Sequence, residues 1–266
     1  DVPGVVDLHN HLLAGVDDGA AEPGGSRAAL RAMAGEGVEA LVVTPHLAGS
    51  LTAYPDRWAA AVERVDAAWA EFAAMAAAEF PAMRVERGAE VMLDVPAPDL
   101  AHPALRLAGS PFVLVEFPGM RVPPRSANAL RNLRGAGWIP VMAHPERYVD
   151  LDAELRGLAA WREAGAYLQI NCGSLTGRYG ARAEAVAWEI LRRGWGSFVA
   201  SDYHARGNPG VAAALAALER AGGAEQAELL ARANPAALLD GRHPEPVAPL
   251  ERDLPLWRRI VGLWRG

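Results

Sequence analysis

The chain of 266 residues has one cysteine, Cys172, and no lysine. A single cysteine excludes an intramolecular disulfide framework and suits a reducing cytoplasm, the expected location. All 26 basic residues are arginine, which beside so much alanine and glycine reads as a coding bias rather than a mechanism. No apolar run approaches the ~20 residues that a membrane span needs. The N-terminus, DVPGVVDLHN, lacks the basic and apolar regions of a signal peptide, and the absence of an initial Met leaves targeting open. There is no dinucleotide-binding glycine fingerprint and no internal repeat. A net charge of −6 lacks the basic surplus of a general nucleic-acid binder. What is present is 51% hydrophobic and 22% charged residues, the balance of a soluble globular chain long enough for one large domain or two modest ones.

Short apolar runs alternate with helix-like stretches. Strands are expected at Val5–His9, Ala40–Thr44, Arg84–Glu90, Phe112–Glu116, Ile139–Ala143, Tyr167–Asn171 and Ser197–Ser201. Helices are expected between them, as at Asp56–Glu79, Ser126–Ala136 and Ala181–Arg193. Seven βα units point to a parallel α/β architecture. Residues 1–240 form the expected main domain. Residues 241–250 (GRHPEPVAPL) are proline-rich and read as a linker to a short C-terminal tail ending at 266. In that tail Trp257, Ile260, Val261 and Trp264 share a helical face, with arginines elsewhere. Packing on the barrel or on a second subunit of a homo-oligomer is favoured over a membrane anchor.

The strand ends carry the chemistry. The first closes in Asp7-Leu8-His9-Asn10-His11, and residues two apart on a strand point the same way, so His9 and His11 converge as a metal-binding pair needs. Further strands lead into His46, Glu90, Glu116, His144 and the Asp202-Tyr203-His204 pair. Six of seven strands thus end at a histidine or carboxylate, which favours a seven-stranded barrel, where strand C-termini surround one point. So many ionisable groups in one place need a compensating charge, which divalent metal supplies. Either Asp17 or Asp18, in the Gly15–Gly19 turn, can fold back onto the metals; spacing does not choose between them. Asp7 reads equally as a hydrogen-bond partner of a ligand histidine or as a structural aspartate. His102 and His243 read as surface residues.

The run DLHNHLLAGVDDGA, with TPH at 44–46, GAE at 88–90, VEF at 115–117, AHPERY at 143–148 and SDYH at 201–204, resembles the polymerase-and-histidinol-phosphatase (PHP) superfamily. More narrowly it is similar to the bacterial manganese-dependent tyrosine phosphatases of the capsule and exopolysaccharide type (CpsB/CapC-like). The resemblance runs from about residue 5 to 240. It implies a distorted TIM-like (β/α)7 barrel and three divalent ions, manganese first, with iron or zinc possible. The implied ligands are His9, His11, Asp18, His46, Glu90, Glu116, His144, Asp202 and His204. It also implies a phosphate-contacting arginine at Arg147. A second family arginine follows the last Asp-x-His motif at a longer spacing than Arg206 does here, so Arg206 is a candidate only.

Four carboxylates and three divalent ions leave a site near +2 with the histidines neutral, suited to a phosphate dianion. The implied chemistry is attack on phosphotyrosine by a metal-bridging hydroxide, the substrate being a bacterial tyrosine autokinase of polysaccharide synthesis. The alternatives are a small-molecule phosphatase of the histidinol-phosphate type and a non-catalytic module of a polysaccharide-assembly complex. A rival motif, Cys172 to Arg178, spells the C-x5-R of cysteine-based phosphatases. With 26 arginines in 266 residues such a match arises about one time in ten by chance. Asn171 stands where an activating histidine is usual, so Cys172 reads as a small strand-end residue.

Overall fold

The structure, a computed structural model, describes residues 4–251. The aromatic tail face lies outside them. Among the described residues nine strand segments run in order: β1 (Val5–Asp7), β2 (Val38–Val43), β3 (His46–Ala48), β4 (Arg84–Arg87), β5 (Glu90–Met92), β6 (Phe112–Glu116), β7 (Ile139–Ala143), β8 (Tyr167–Asn171) and β9 (Phe198–Ala200). All pairings are parallel, in the orders β1-β2-β4 and β3-β5-β6-β7-β8-β9.

These nine segments are seven strands. β3 continues β2 after Thr44-Pro45, where proline has no N–H to give the ladder. β5 continues β4 after Gly88-Ala89. Bonds from Gly88 N to the Val43 carbonyl (2.9 Å) and from Glu90 N to the Pro45 carbonyl (3.1 Å) carry the pairing across the break. At the opposite edge, Asp202 N donates to the His9 carbonyl (2.8 Å) and His11 N to the Tyr203 carbonyl (2.9 Å), joining the continuations of β9 and β1. The seven expected strands are thus all present; the second, taken with β3, runs four residues past its expected end at Thr44, and the others lie within about two residues of their expected ends.

Between them lie helices α1 (Pro23–Gly35), α2 (Pro55–Glu79), α3 (Ser126–Gly135), α4 (Arg156–Glu163), α5 (Cys172–Leu175), α6 (Ala181–Arg192), α7 (Val211–Arg220), α8 (Ala224–Glu228) and α9 (Asn234–Leu239). Among the described residues, none is long and apolar enough to cross a membrane. Val6 and Leu8, Ala40 and Val42, Phe112 and Leu114, and Ile139 and Val141 fall at every second position and meet inside the ring with Phe198. Leu238 and Leu239 of α9 join this cluster. The larger core lies between strands and helices and includes Leu30, Met33, Leu130, Trp161, Ile190 and Leu218. Each such side chain, fully buried, contributes about 1.5–3 kcal/mol.

The stretch 241–250, expected as a linker, packs against the domain as far as it is described. Val247 and Leu250 are buried. Leu250 N bonds the Leu191 carbonyl (3.0 Å), and the Asn234 side chain bonds both N and O of Glu245 (2.8 and 3.0 Å). Proline supplies extended backbone here, not freedom: Asn234 satisfies the backbone, and two apolar residues three apart anchor it.

Candidate metal centre

The strand ends bring all nine residues together. His9 Nε2 lies 3.2 Å from His11 Nε2, both rings fully buried. The other nitrogen of each ring is committed. His9 Nδ1 donates to Gln169 Oε1 (2.8 Å) and His11 Nδ1 to Asp17 Oδ2 (2.8 Å). Those bonds commit Nδ1 of each ring and turn the two Nε2 atoms toward each other, the arrangement of a ligand pair. His204 Nδ1 likewise bonds the Asp202 carbonyl (2.9 Å), leaving Nε2 3.3 Å from Asp18 Oδ1.

Glu90 is the hub. Oε1 lies 2.9 Å from His144 Nε2; Oε2 lies 3.1 Å from both His9 Nε2 and His46 Nδ1, and 3.4 Å from His11 Nε2. Asp202 Oδ1 sits 3.3 Å from both His9 and His11. Ligand atoms approach within 4.8 Å of one another in four overlapping groups: His9, Glu90 and His144; His9, His11 and Asp202; His46, Glu90 and Glu116; and His11, Asp18, His46 and His204. His9 links the first group to the second and Glu90 links it to the third, while His11 and His46 join the second and third to the fourth, so the four groups form one continuous cluster.

The charges agree. Burial raises Glu90's carboxyl, but His9, His11 and His144 outweigh it and hold it well below the usual range. Burial lowers His9's imidazolium, yet Glu90 and Asp202 bring it up to about 9. His11 is raised well above its ordinary value against the same burial by Asp17, Asp202 and Glu90. Glu116 is pushed up to about 7, by burial and then by Glu90. Protons therefore hold this cluster together where a cation would serve. Glu90 Oε2 is buried without a hydrogen-bond partner and faces three ring nitrogens, and the donors are nitrogen and oxygen throughout. The residues fit divalent ions.

The backbone is bent to this purpose. His144 and Asp202 have φ of 34° and 50°, a left-handed region costing non-glycine residues about 1–3 kcal/mol. Gly19 presses its backbone onto His11 so closely that a Cβ would collide with the His11 carbonyl, which holds the Asp17-Asp18 turn over the site. Asp18 joins an outer ligand group; Asp17 braces His11 and accepts from His46 N (3.1 Å).

Arg147 Nη1 donates to Asp202 Oδ2 (2.7 Å), and its guanidinium lies over the Tyr179 ring at 4.3 Å. Arg206 is exposed and donates to the Asp18 carbonyl. Asp7 does not touch a ligand histidine ring: it accepts from Ser201 N (2.6 Å), Ser201 Oγ (3.0 Å) and Asn10 Nδ2 (2.8 Å), bracing β1 against β9. His102 caps a short turn through Ala104 N, and exposed His243 sits beside Tyr167, both away from the cluster. Cys172 is buried and its thiol is pushed well above the ordinary range, chiefly by burial. Arg178 bonds the Asn208 carbonyl (2.9 Å). The C-x5-R loop therefore holds no thiolate.

Sequence reasoning missed the relay behind the ligands. Gln169 Nε2 donates to Asn171 Oδ1 (3.0 Å), and Asn171 Nδ2 to Asp202 Oδ2 (2.7 Å). The available signal was that β8 alone ended in neither histidine nor carboxylate; it ends in Asn171, which serves the site indirectly.

Residues 5–240 match the family model for capsular polysaccharide synthesis, CpsB/CapC. The tyrosine-protein phosphatase YwqE of Bacillus subtilis (strain 168) is 30% identical over 202 residues, covering 75% of this chain and 77% of that protein. The putative tyrosine-protein phosphatase CapC of Staphylococcus aureus is 27% identical over the same length and coverage. A chain from the crystal structures of YwqE and of CpsB from Streptococcus pneumoniae, described as unique metal-dependent tyrosine phosphatases, superposes with a TM-score of 0.75. It is 29% identical, and the match covers 93% of this chain and 100% of that one.

Proposed function

The chain belongs to the CpsB/CapC family, and from that premise we propose that it is a metal-dependent protein-tyrosine phosphatase. The observation that carries the reading is the gathering of nine side chains with ligand atoms into one cluster at the strand C-termini, four of whose histidines face Glu90. The proposed substrate is a phosphotyrosine of a bacterial tyrosine autokinase of polysaccharide synthesis, in the cytoplasm. The proposed ions are three, manganese first. His9, His11, Asp18, His46, Glu90, Glu116, His144, Asp202 and His204 would hold them. When bound, such ions neutralise phosphate charge and make water nucleophilic near neutral pH.

The chain's own groups do the rest. Gln169 and Asp17 hold His9 and His11 in the tautomers that offer Nε2. Arg147 spends one N–H on Asp202, and its other donors have no partner among the described residues. It is therefore free to bind phosphoryl oxygens, in the fork geometry that suits them. Arg206, at the exposed rim, is a weaker candidate for the same contact. A phenol leaves with a pKa of about 10, so the reaction leans little on a general acid. All nine positions being filled argues against a non-catalytic module.

The test is metal content measured beside turnover of a phosphotyrosine peptide from the cognate kinase. About three ions per chain and loss of turnover on chelation are expected. Full activity in metal-free protein overturns the reading, and preference for histidinol phosphate over the peptide would replace the substrate class.

A further inference from the structure

The C-x5-R loop, idle as a nucleophile, is bolted to the turn that carries Arg147. Its first bolt is internal: Asn171 N and Ser174 Oγ both donate to Oε1 of the buried Glu146, at 3.0 and 2.6 Å. Glu146 is the neighbour of Arg147 in the turn Pro145–Arg147. The loop's second bolt is the Tyr179 ring under the Arg147 guanidinium, at 4.3 Å. The turn's far end is held separately from α6, where Arg182 Nη1 donates to the Tyr148 carbonyl (2.7 Å).

The loop's sequence is shaped for this ring. Gly173 is the second residue of α5, and a Cβ there would stand 2.9 Å from Tyr179 Cε2 and 3.0 Å from Arg178 Cδ. A side chain at this position would have to displace the tyrosine ring or the Arg178 stem from its place. Arg178 N closes the loop on the Gly173 carbonyl (2.9 Å). The Tyr179 hydroxyl has no hydrogen-bond partner among the described residues, so what the ring offers is its face.

A long guanidinium tethered at one nitrogen can still swing about that bond. A ring beneath its plane removes this freedom, and a cation over an aromatic face is held by the ring's quadrupole. Fixing the plane in advance lowers the ordering cost of binding an anion. Resting on the phosphatase reading, we propose that Tyr179 is a positioning residue for Arg147, presenting the unused guanidinium donors to the phosphoryl group, and that loop 171–179 is the platform for this contact.

The experiment combines kinetics with a readout independent of turnover. Tyr179→Leu, which removes the ring, should raise both KM for a phosphotyrosine peptide and the inhibition constant of inorganic phosphate about three- to tenfold. The fall in kcat should be smaller, and metal content unchanged. Tyr179→Phe, which keeps the ring, should restore the values. In an Arg147→Ala background, Tyr179→Leu should add nothing. In zinc-loaded protein, ¹⁵N relaxation of the Arg147 Nε–Hε group should show greater mobility in Tyr179→Leu and not in Tyr179→Phe. Unchanged Arg147 order, or a Tyr179→Leu effect that persists in full without Arg147, overturns the proposal. Absence of peptide turnover in the unaltered protein would instead defeat the phosphatase reading, leaving the relaxation comparison to decide the contact.

Discussion

The inner and outer parts of the cluster use the same residue types in opposite surroundings. His9, Glu90 and His144 have side chains at most 2% exposed, whereas Asp18, His46 and His204 stand at 64%, 38% and 25%. Inside, a charge without a partner is expensive, so the groups demand a cation and hold it firmly. Outside, water competes for each ligand and screens each charge. The difference teaches that one continuous cluster has two faces: under the proposed metal reading the buried part would anchor ions, and the open part would be where an ion exchanges and a substrate arrives.

The sharpest way to break that contrast is at the hub. Glu90→Gln removes the carboxylate that two ligand groups share. Activity should fall by about 10³-fold or more, with metal lost and not restored by excess manganese. Intact metal content in this variant, read by elemental analysis, would erase the distinction. Asp18→Ala, on the open side, should weaken metal binding about 10–100-fold. Here millimolar manganese in the assay should recover most of the rate; failure to recover it would make the outer group as essential as the inner.

A smaller effect concerns the protein stripped of metal. His9 titrates at about 9 instead of 6.5, because Glu90 and Asp202 more than offset the burial that opposes its charge. The stabilisation from its proton is therefore complete below pH 6.5 and lost as pH rises through about 9. Chelated protein should melt at a lower temperature at pH 9.5 than at 6.5. Metal-loaded protein should not show this drop, since the ion replaces the proton. Smallest of all is Cys172→Ser, which should keep activity within about twofold, because a buried, protonated thiol is not a nucleophile. Collapse of activity with metal retained would return chemistry to the C-x5-R loop.

Much of this was legible in the chain because strands, once placed, dictate where their last residues go. The seven strands follow from apolar runs with β-branched residues, and the ligand positions follow from the strand ends. What spacing could not separate was Asp17 from Asp18. That choice depends on Gly19 lying against His11, a contact made by folding. The relay through Gln169 was also hidden, since its partner His9 is 160 positions away. Tyr179 gave no sign of its stacking on Arg147. In the stretch 241–250 local proline content suggested a linker and gave no sign that Val247 and Leu250 would be buried against the domain.

The seam between the first and last strands sets the order of events during synthesis. Asp7 and Ser201, whose contact holds that seam, are 194 positions apart. At about 5–20 residues per second on the ribosome, about 10–40 s pass between them. Throughout that interval His9 and His11 are already made while Asp202 and His204 are not. A nascent chain thus presents part of the cluster before the rest exists, and under the proposed metal reading correct loading of ions would await release of nearly the whole domain from the exit tunnel.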